Sequence, residues 1–355
     1  MSNNLIKVIS NGNHEEKVKA LDKLKESENY EVICDLIDIL ENTKDRALKE
    51  RILIVLNYLV PKSEFKCVEK MFRSPDPFVR NGVVEIIKRS DIPLINFLKD
   101  LAEDDDRDVR KFVIDALSQE KNNDTLGILR KRLSDEDINI VYTAIEYLGN
   151  FKDEKSVDCI ENILMSTDNT MVICSSFEAL SKIGVSKKKD VILDRFKTDP
   201  NPMIIFSILK YLSSFGTKDD FDYLEYVLEN HGLTYLKELV DCIEGIIINN
   251  NLESIPESLK LKLELTTEQS ENPVNKYEIM KLLARTTKSN SLEIARNMLK
   301  DSNDMIKLGG VEILADIGDE SDIEILEELA ENTDSDELLE AIGDAVMKID
   351  ERMNS

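Results

Sequence analysis

Any chemistry in this chain would have to come from a small set of residues. Its 355 residues include two histidines, His14 and His231. His14 precedes Glu15 and forms the sole His-Glu pair, so an imidazole–carboxylate metal site or acid–base couple has no second member to build on. The five cysteines, Cys34, Cys67, Cys159, Cys174 and Cys242, are odd in number, widely spaced and free of any C-x-x-C pair. Zinc ribbons and thiol redox motifs require that spacing. Most of the cysteines stand where an apolar helix face takes a small core residue, so no disulfide framework is expected and a reducing compartment fits. Cys159 and Cys174 fall on consecutive predicted helices, where their thiols could approach. There is no G-x-x-x-x-G-K-[ST], no G-x-G-x-x-G and no H-E-x-x-H, so nucleotide and zinc-protease mechanisms have no foothold. Carboxylates are abundant, yet spacing selects none from the solvated background. The expected catalytic, cofactor-binding and metal-binding residues are therefore none.

Charge points the same way. Lys and Arg number 46 against 71 Asp and Glu, a net charge of −25. Such a chain repels a phosphate backbone, because nucleic-acid affinity is largely counterion release by cations. It also repels anionic membrane surfaces. The start, from Met1 to Lys7, shows no basic segment followed by a long apolar run, so no signal peptide is expected. The longest uncharged apolar stretch, near Ile246–Ile248, is far below the roughly 20 residues a membrane span needs. The expected location is the cytoplasm.

The elements that carry these residues are helices. Hydrophobic residues make up 42% and charged residues 33%, with 12 Gly and 8 Pro, which disfavours all-β and disordered chains. From Asp76 to Gly216 one pattern returns about every 31 residues, and it returns again at Ser302–Gly318. Its anchors are Val79, Val109, Ile140, Val172, Ile204 and Ile306, followed eight residues later by Ile87, Leu117, Leu148, Leu180, Leu212 and Leu314. Eight residues are just over two helical turns, so both members share one buried face. Pro77 and Pro202 suit the first helical position, and Gly184, Gly216 and Gly318 suit a left-handed C-terminal cap. A second, shorter helix follows each first one, with core positions such as Leu126, Leu129 and Leu133, Val157, Ile160, Ile163 and Leu164, or Ile323, Leu326, Leu329 and Ala330. Ten pairs are expected, opening near residues 14, 45, 75, 105, 136, 168, 200, 233, 272 and 303, with a closing helix over Ser335–Ile349. The pattern weakens between His231 and Pro273, around the run Asn249-Asn250-Asn251, where a change of curvature or a domain boundary would fall. Otherwise residues 1–355 read as one domain, with an acidic end over 319–355.

The D-x-x-V-R of Asp76–Arg80 and Asp106–Arg110, the closing segments Ala179–Gly184 and Ile313–Gly318, and the L-x-x-L-L that follows resemble HEAT repeats. The likeness is greatest to the short prokaryotic type found in bilin lyases of light-harvesting antennae. It covers nearly the whole chain and implies an all-α, right-handed α-solenoid of about ten helix pairs with a capping helix. It implies little about activity, because a fold is only an analogy for function. Deoxyhypusine hydroxylases of this architecture hold two irons with several His-Glu pairs, and this chain has one. HEAT-like alkylpurine DNA glycosylases rely on aromatic residues including Trp and on a basic groove, and this chain has no Trp.

The resemblance implies that the second helices line the concave surface. Their register leaves two rows exposed, one reading Arg130, Glu161, Asp194, Glu225, Arg296 and Glu327, the next Lys131, Asn162, Arg195, Tyr226, Asn297 and Glu328. The candidate partner-binding residues are Arg130, Lys131, Asn162, Arg195, Tyr226, Asn297 and Glu328. Six cations between Lys182 and Lys197, and twelve carboxylates without a cation between Asp319 and Asp344, grade the surface by charge. The expected function is a non-catalytic cytoplasmic scaffold or assembly factor, monomeric outside its complex, that binds a protein and neither nucleic acid nor membrane. The alternative is a lyase-like or cofactor-delivery maturation factor.

Overall fold

The computed structural model describes residues 2–26, 30–60, 67–89, 95–118, 121–286 and 290–353. Of these, 81% are helical, and no strand occurs among them. The chain divides into two compact units, Met1–Asn162 and Ile163–Ser355.

The first unit contains α1 (Ser2–Asn11), α2 (His14–Glu26), α3 (Ile33–Asn42), α4 (Arg46–Leu59), α5 (Glu69–Phe72), α6 (Pro77–Lys88), α7 (Ile95–Leu101), α8 (Arg107–Leu117), α9 (Asn123–Arg132) and α10 (Ile138–Asn150). Helix α11 (Val157–Ser166) crosses the division. The second unit continues with α12 (Thr170–Ile183), α13 (Lys189–Phe196), α14 (Pro202–Phe215), α15 (Phe221–His231), α16 (Leu236–Asn250), α17 (Glu257–Gln269), α18 (Pro273–Thr286), α19 (Ser291–Met298), α20 (Asp304–Ile317), α21 (Glu320–Glu331) and α22 (Asp336–Met353). Even-numbered helices from α2 to α20 are the first members of their pairs and odd-numbered helices from α3 to α21 the second. The fold is an all-α solenoid, with ten such pairs among the described residues. Helix α1 precedes the first expected pair, and α22 runs past Ile349 to Met353.

Local chemistry explains the boundaries. Asp76, Asp106, Asp137, Asn169, Asn201 and Asn303 each occupy an N-cap, the side chain accepting a backbone N–H two residues on. Each such cap stabilises its helix by about 1 kcal/mol. Gly184 ends α12 with φ 81°, the left-handed cap expected of it. Gly216 and Gly318 differ, with φ of −61° and −62° in extended backbone. Gly216 is there for space, since a Cβ would stand 2.5 Å from both Ile246 Cγ1 and the Leu212 carbonyl oxygen.

The twelve anchor residues are all buried, Val79, Leu148 and Leu180 completely. Successive layers close over them. On α12, Phe177 meets Phe196 of α13 edge-on at 5.6 Å and Tyr211 of α14 at 5.2 Å. The second helices bury less, for Ile163, Ile323, Leu329 and Ala330 are half-exposed rather than core. The Asn249–Asn251 run lies inside the second unit and ties two layers together. The Asn249 amide donates to the carbonyls of Ser213 and Ser214, and that of Asn250 to the carbonyl of Gly216 at 2.8 Å.

The cysteines depart from expectation at one point. Cys34, on α3, and Cys67, just before α5, form a disulfide with Cα atoms 5.3 Å apart. They are separated by 33 residues, close to one repeat, so stacking puts them at equivalent places in adjacent layers. Cys159, Cys174 and Cys242 are free thiols.

Candidate protein-interaction surface

The repeat places a cation in one layer beside a carboxylate of a neighbouring one, and these pairs set the surface of each unit. In the first unit Arg110 is buried and forks onto Asp135, with Nε donating to Oδ2 at 2.9 Å and Nη2 to Oδ1 at 2.8 Å. Its Nη1 also donates to the carbonyls of Asp104 and Asp105. Burial pushes the Asp135 carboxyl up, but the bonds from Arg110 and the Asp137 N–H outweigh it and hold the group below its ordinary range. Arg132 also reaches Asp135, at 3.1 Å, and Glu103, at 2.9 Å. The arginine of the D-x-x-V-R motif is thus a strut between layers.

The same accounting covers the candidates of this unit. Arg130 donates to both carboxylate oxygens of the buried Asp153, at 2.7 and 2.6 Å, which holds its guanidinium above its ordinary value. Only part of its side chain faces solvent. Lys131 is exposed and pairs with Glu103 at 2.8 Å. Burial raises the Glu103 carboxyl, and the Lys131 and Arg132 contacts more than offset this. Asn162 is exposed, whereas its row neighbour Glu161, expected in solvent, is buried.

In the second unit Arg195 of α13 is half-buried. It donates to the carbonyls of Leu164 at 2.9 Å and Thr167 at 2.8 Å, and to the Asp168 carboxylate at 2.8 Å. It therefore closes off the free carbonyls at the end of α11, in keeping with the preference of helix C-termini for cations. Tyr226 is half-buried rather than exposed. Its ring stacks on Tyr223 at 6.2 Å and meets His231 edge-on at 6.4 Å, and His231 in turn meets Tyr235. Asn297 is exposed, and so are Glu327 and Glu328. Arg296 bonds Asp322 and Asp319. Within the Lys182–Lys197 segment, Lys182 pairs with Glu178, Lys189 with Asp220 and Lys197 with Asp194. Much of that positive charge is answered locally.

One feature escaped the sequence rows. Helix α17 buries Leu259 and Leu263 and exposes Leu261 and Leu265, which stand 51% and 56% in solvent one turn apart. The stretch from Leu259 to Leu265 alternates leucine with Lys or Glu. A period of two on a helix sends every second leucine to the opposite side, and that signal was available in the sequence. Glu225 of α15 bonds Lys262 beside this stripe.

No group of three or more His, Cys, Asp or Glu side chains stands together as a metal site among the described residues. Among them, too, no helix is long and apolar enough to cross a membrane.

A sequence profile for HEAT repeats matches residues 66–141, 92–181, 128–213 and 261–346, together well over half of the chain. No curated protein matches it by sequence. Among solved structures it is similar to Kap121p in complex with Ste12p, with a TM-score of 0.56 and 11% identity over 97% of this chain and 44% of that one. It is also similar to importin beta, with a TM-score of 0.53 and 11% identity over 98% of this chain and 60% of that one. An engineered protein aligns over 98% of both chains at 14% identity with a TM-score of 0.44. The chain thus spans less than two thirds of either Kap121p or importin beta, and at these identities the likeness is one of fold.

Proposed function

This chain belongs to the HEAT-repeat family, and on that premise we propose that it is a non-catalytic cytoplasmic scaffold or assembly factor that holds a protein partner against the exposed faces of its second helices. The observation that carries the reading is the Leu261–Leu265 stripe. Two leucines in open solvent on a helix that already buries Leu259 and Leu263 serve no packing purpose within their own layer. Apolar side chains framed by Lys and Glu are what the centre of a protein interface uses. Tyr226, in its aromatic cluster on the neighbouring second helix α15, offers a rigid edge to the same surface. Asn297 and Glu328, exposed on second helices of the same unit, would set register and encounter rate, with Arg195 supporting that face from below; in the first unit Lys131 and Asn162 are exposed on second helices and Arg130 supports them in the same way.

The test is differential capture. The wild-type chain and a Leu261→Ser/Leu265→Ser variant are immobilised, incubated with lysate of the source cells, and their bound proteins quantified by mass spectrometry. The proposal expects at least one protein retained by the wild type and depleted about tenfold or more on the variant, with unchanged circular dichroism. Identical capture profiles would refute it. An absorption spectrum of the purified chain carrying a bound chromophore would favour the lyase-like or cofactor-delivery alternative instead.

A further inference from the structure

The stacking pattern makes α22 stand out. Its N-cap, Ser335, is equivalent to Asn303 of α20, since each accepts from a backbone N–H of its own first turn. On that alignment Leu339, Gly343 and Met347 of α22 correspond to Lys307, Val311 and Ala315 of α20. In α20 this row faces the following layer. Val311 is 1% exposed and Ala315 7%, and the Ala315 carbonyl accepts from Arg352 of α22. The equivalent position in α12 is Phe177, and in α14 it is Leu209, both fully buried. Each repeat is covered by its neighbour, and this is the row on which the neighbour sits.

In α22 the row remains apolar but is uncovered by any described residue. Leu339 is 39% exposed and Met347 63%, and a Cβ placed on Gly343 would meet nothing within 4 Å. Helix α22 packs back on α20 and α21 through Leu338, Ile342, Ala345 and Ile349. The open stripe covers about two turns, some 12 Å, so a helix of roughly three turns could lie along it. The absent Cβ at Gly343 allows close approach midway between the two larger side chains.

Charge selects what can lie there. Asp336, Glu340 and Asp344 are exposed along the rim of the stripe, Lys348 is the one cation in that row before Arg352, and no cation occurs from residue 319 to residue 347. A second copy of the chain would bring the same acidic rim against itself, and like charges across an interface oppose docking. We propose that the uncovered stacking face of α22 docks a basic amphipathic helix of a partner protein. The apolar side of that helix covers Leu339, Gly343 and Met347, and its Lys or Arg residues face Asp336, Glu340 and Asp344. This surface is separate from the second-helix faces discussed above, and its test does not depend on them.

The test uses fluorescein-labelled helical peptides of about 18 residues and fluorescence anisotropy with the full chain. One peptide carries leucines on one face and lysines on its flanks, a mirror peptide replaces lysine with glutamate, and a third keeps the lysines but replaces leucine with serine. The leucine–lysine peptide is expected to bind at least tenfold more tightly than either control. Leu339→Ser/Met347→Ser and Glu340→Lys/Asp344→Lys should each weaken it about tenfold or more, while Leu261→Ser/Leu265→Ser leaves it unchanged. Raised salt should weaken binding to the wild type more than to the Glu340→Lys/Asp344→Lys variant. The proposal is overturned if the α22 variants bind like the wild type, or if the serine–lysine peptide binds as well as the leucine one. Sedimentation of the wild type as a dimer that Met347→Asp converts to monomer would also overturn it, assigning the face to a second copy.

Discussion

Replacing Arg110 with methionine should remove the strut between the α8 and α10 layers while keeping most of the side-chain volume. Arg110 and Asp135 are 6% and 2% exposed at their side chains, so the carboxylate left behind is buried. Breaking one partner of such a pair costs about 3–5 kcal/mol, because the remaining charge is uncompensated. Arg132 still reaches Asp135 at 3.1 Å and the Asp137 N–H still donates at 3.0 Å, which places the loss near the lower end, ~3 kcal/mol. Acid supplies an independent check. In the wild type the Asp135 carboxyl is held below its ordinary 3.8, so the stability it contributes is present above that value and is lost as pH falls through the lower folded-state value. Without Arg110 that depression shrinks, and the folded variant takes up its proton at higher pH. The gap between the two proteins should therefore narrow as the pH falls below about 5 and through the lowered wild-type value. Urea unfolding followed by far-ultraviolet circular dichroism at several pH values measures both effects. A loss below about 1 kcal/mol at neutral pH, or a gap that does not change with pH, would refute the strut.

Two further expectations follow from burial and pairing. Leu180→Asp should unfold part of the second unit at a cost of several kcal/mol, since it puts a carboxylate where the native side chain is fully enclosed; a wild-type thermal melt would show the helical register to be wrong. Alkylation of the denatured, unreduced chain followed by intact-mass measurement should label three cysteines, and five after reduction; five without reduction would exclude the Cys34–Cys67 bond.

The helices and their pairing were legible because two periods are written in the same letters. The turn of the helix fixes which residues of one segment share a face, and the repeat of about 31 residues fixes which faces meet, so both periods together specify the anchors from Val79 to Leu314. What a helix period does not carry is the neighbour. Gly216 and Gly184 look alike as helix-ending glycines, yet one is required by φ and the other by the approach of Ile246, which comes from the next layer. Arg195 lies in an outward row of its own helix, but the carbonyls it satisfies belong to residues 28 and 31 positions earlier. Tyr226 is likewise taken up by Tyr223 and His231.

Partners one period away are nonetheless predictable in principle. Arg73 with Asp104, Arg107 with Asp137 and Lys189 with Asp220 are all about one repeat apart, so a cation and an acid at that separation mark a strut rather than a binding charge. Outside the candidate rows stand residues whose exposure the repeat does not explain. Leu261 and Leu265 are of that kind, because their alternation with Lys260, Lys262 and Glu264 conflicts with the period of the helix they sit on. A sequence built only to stack would place polar residues at both positions, since each exposed leucine adds solubility cost without adding core. The proposed surface therefore rests on the conflict between the local pattern and the element that carries it, and not on charge.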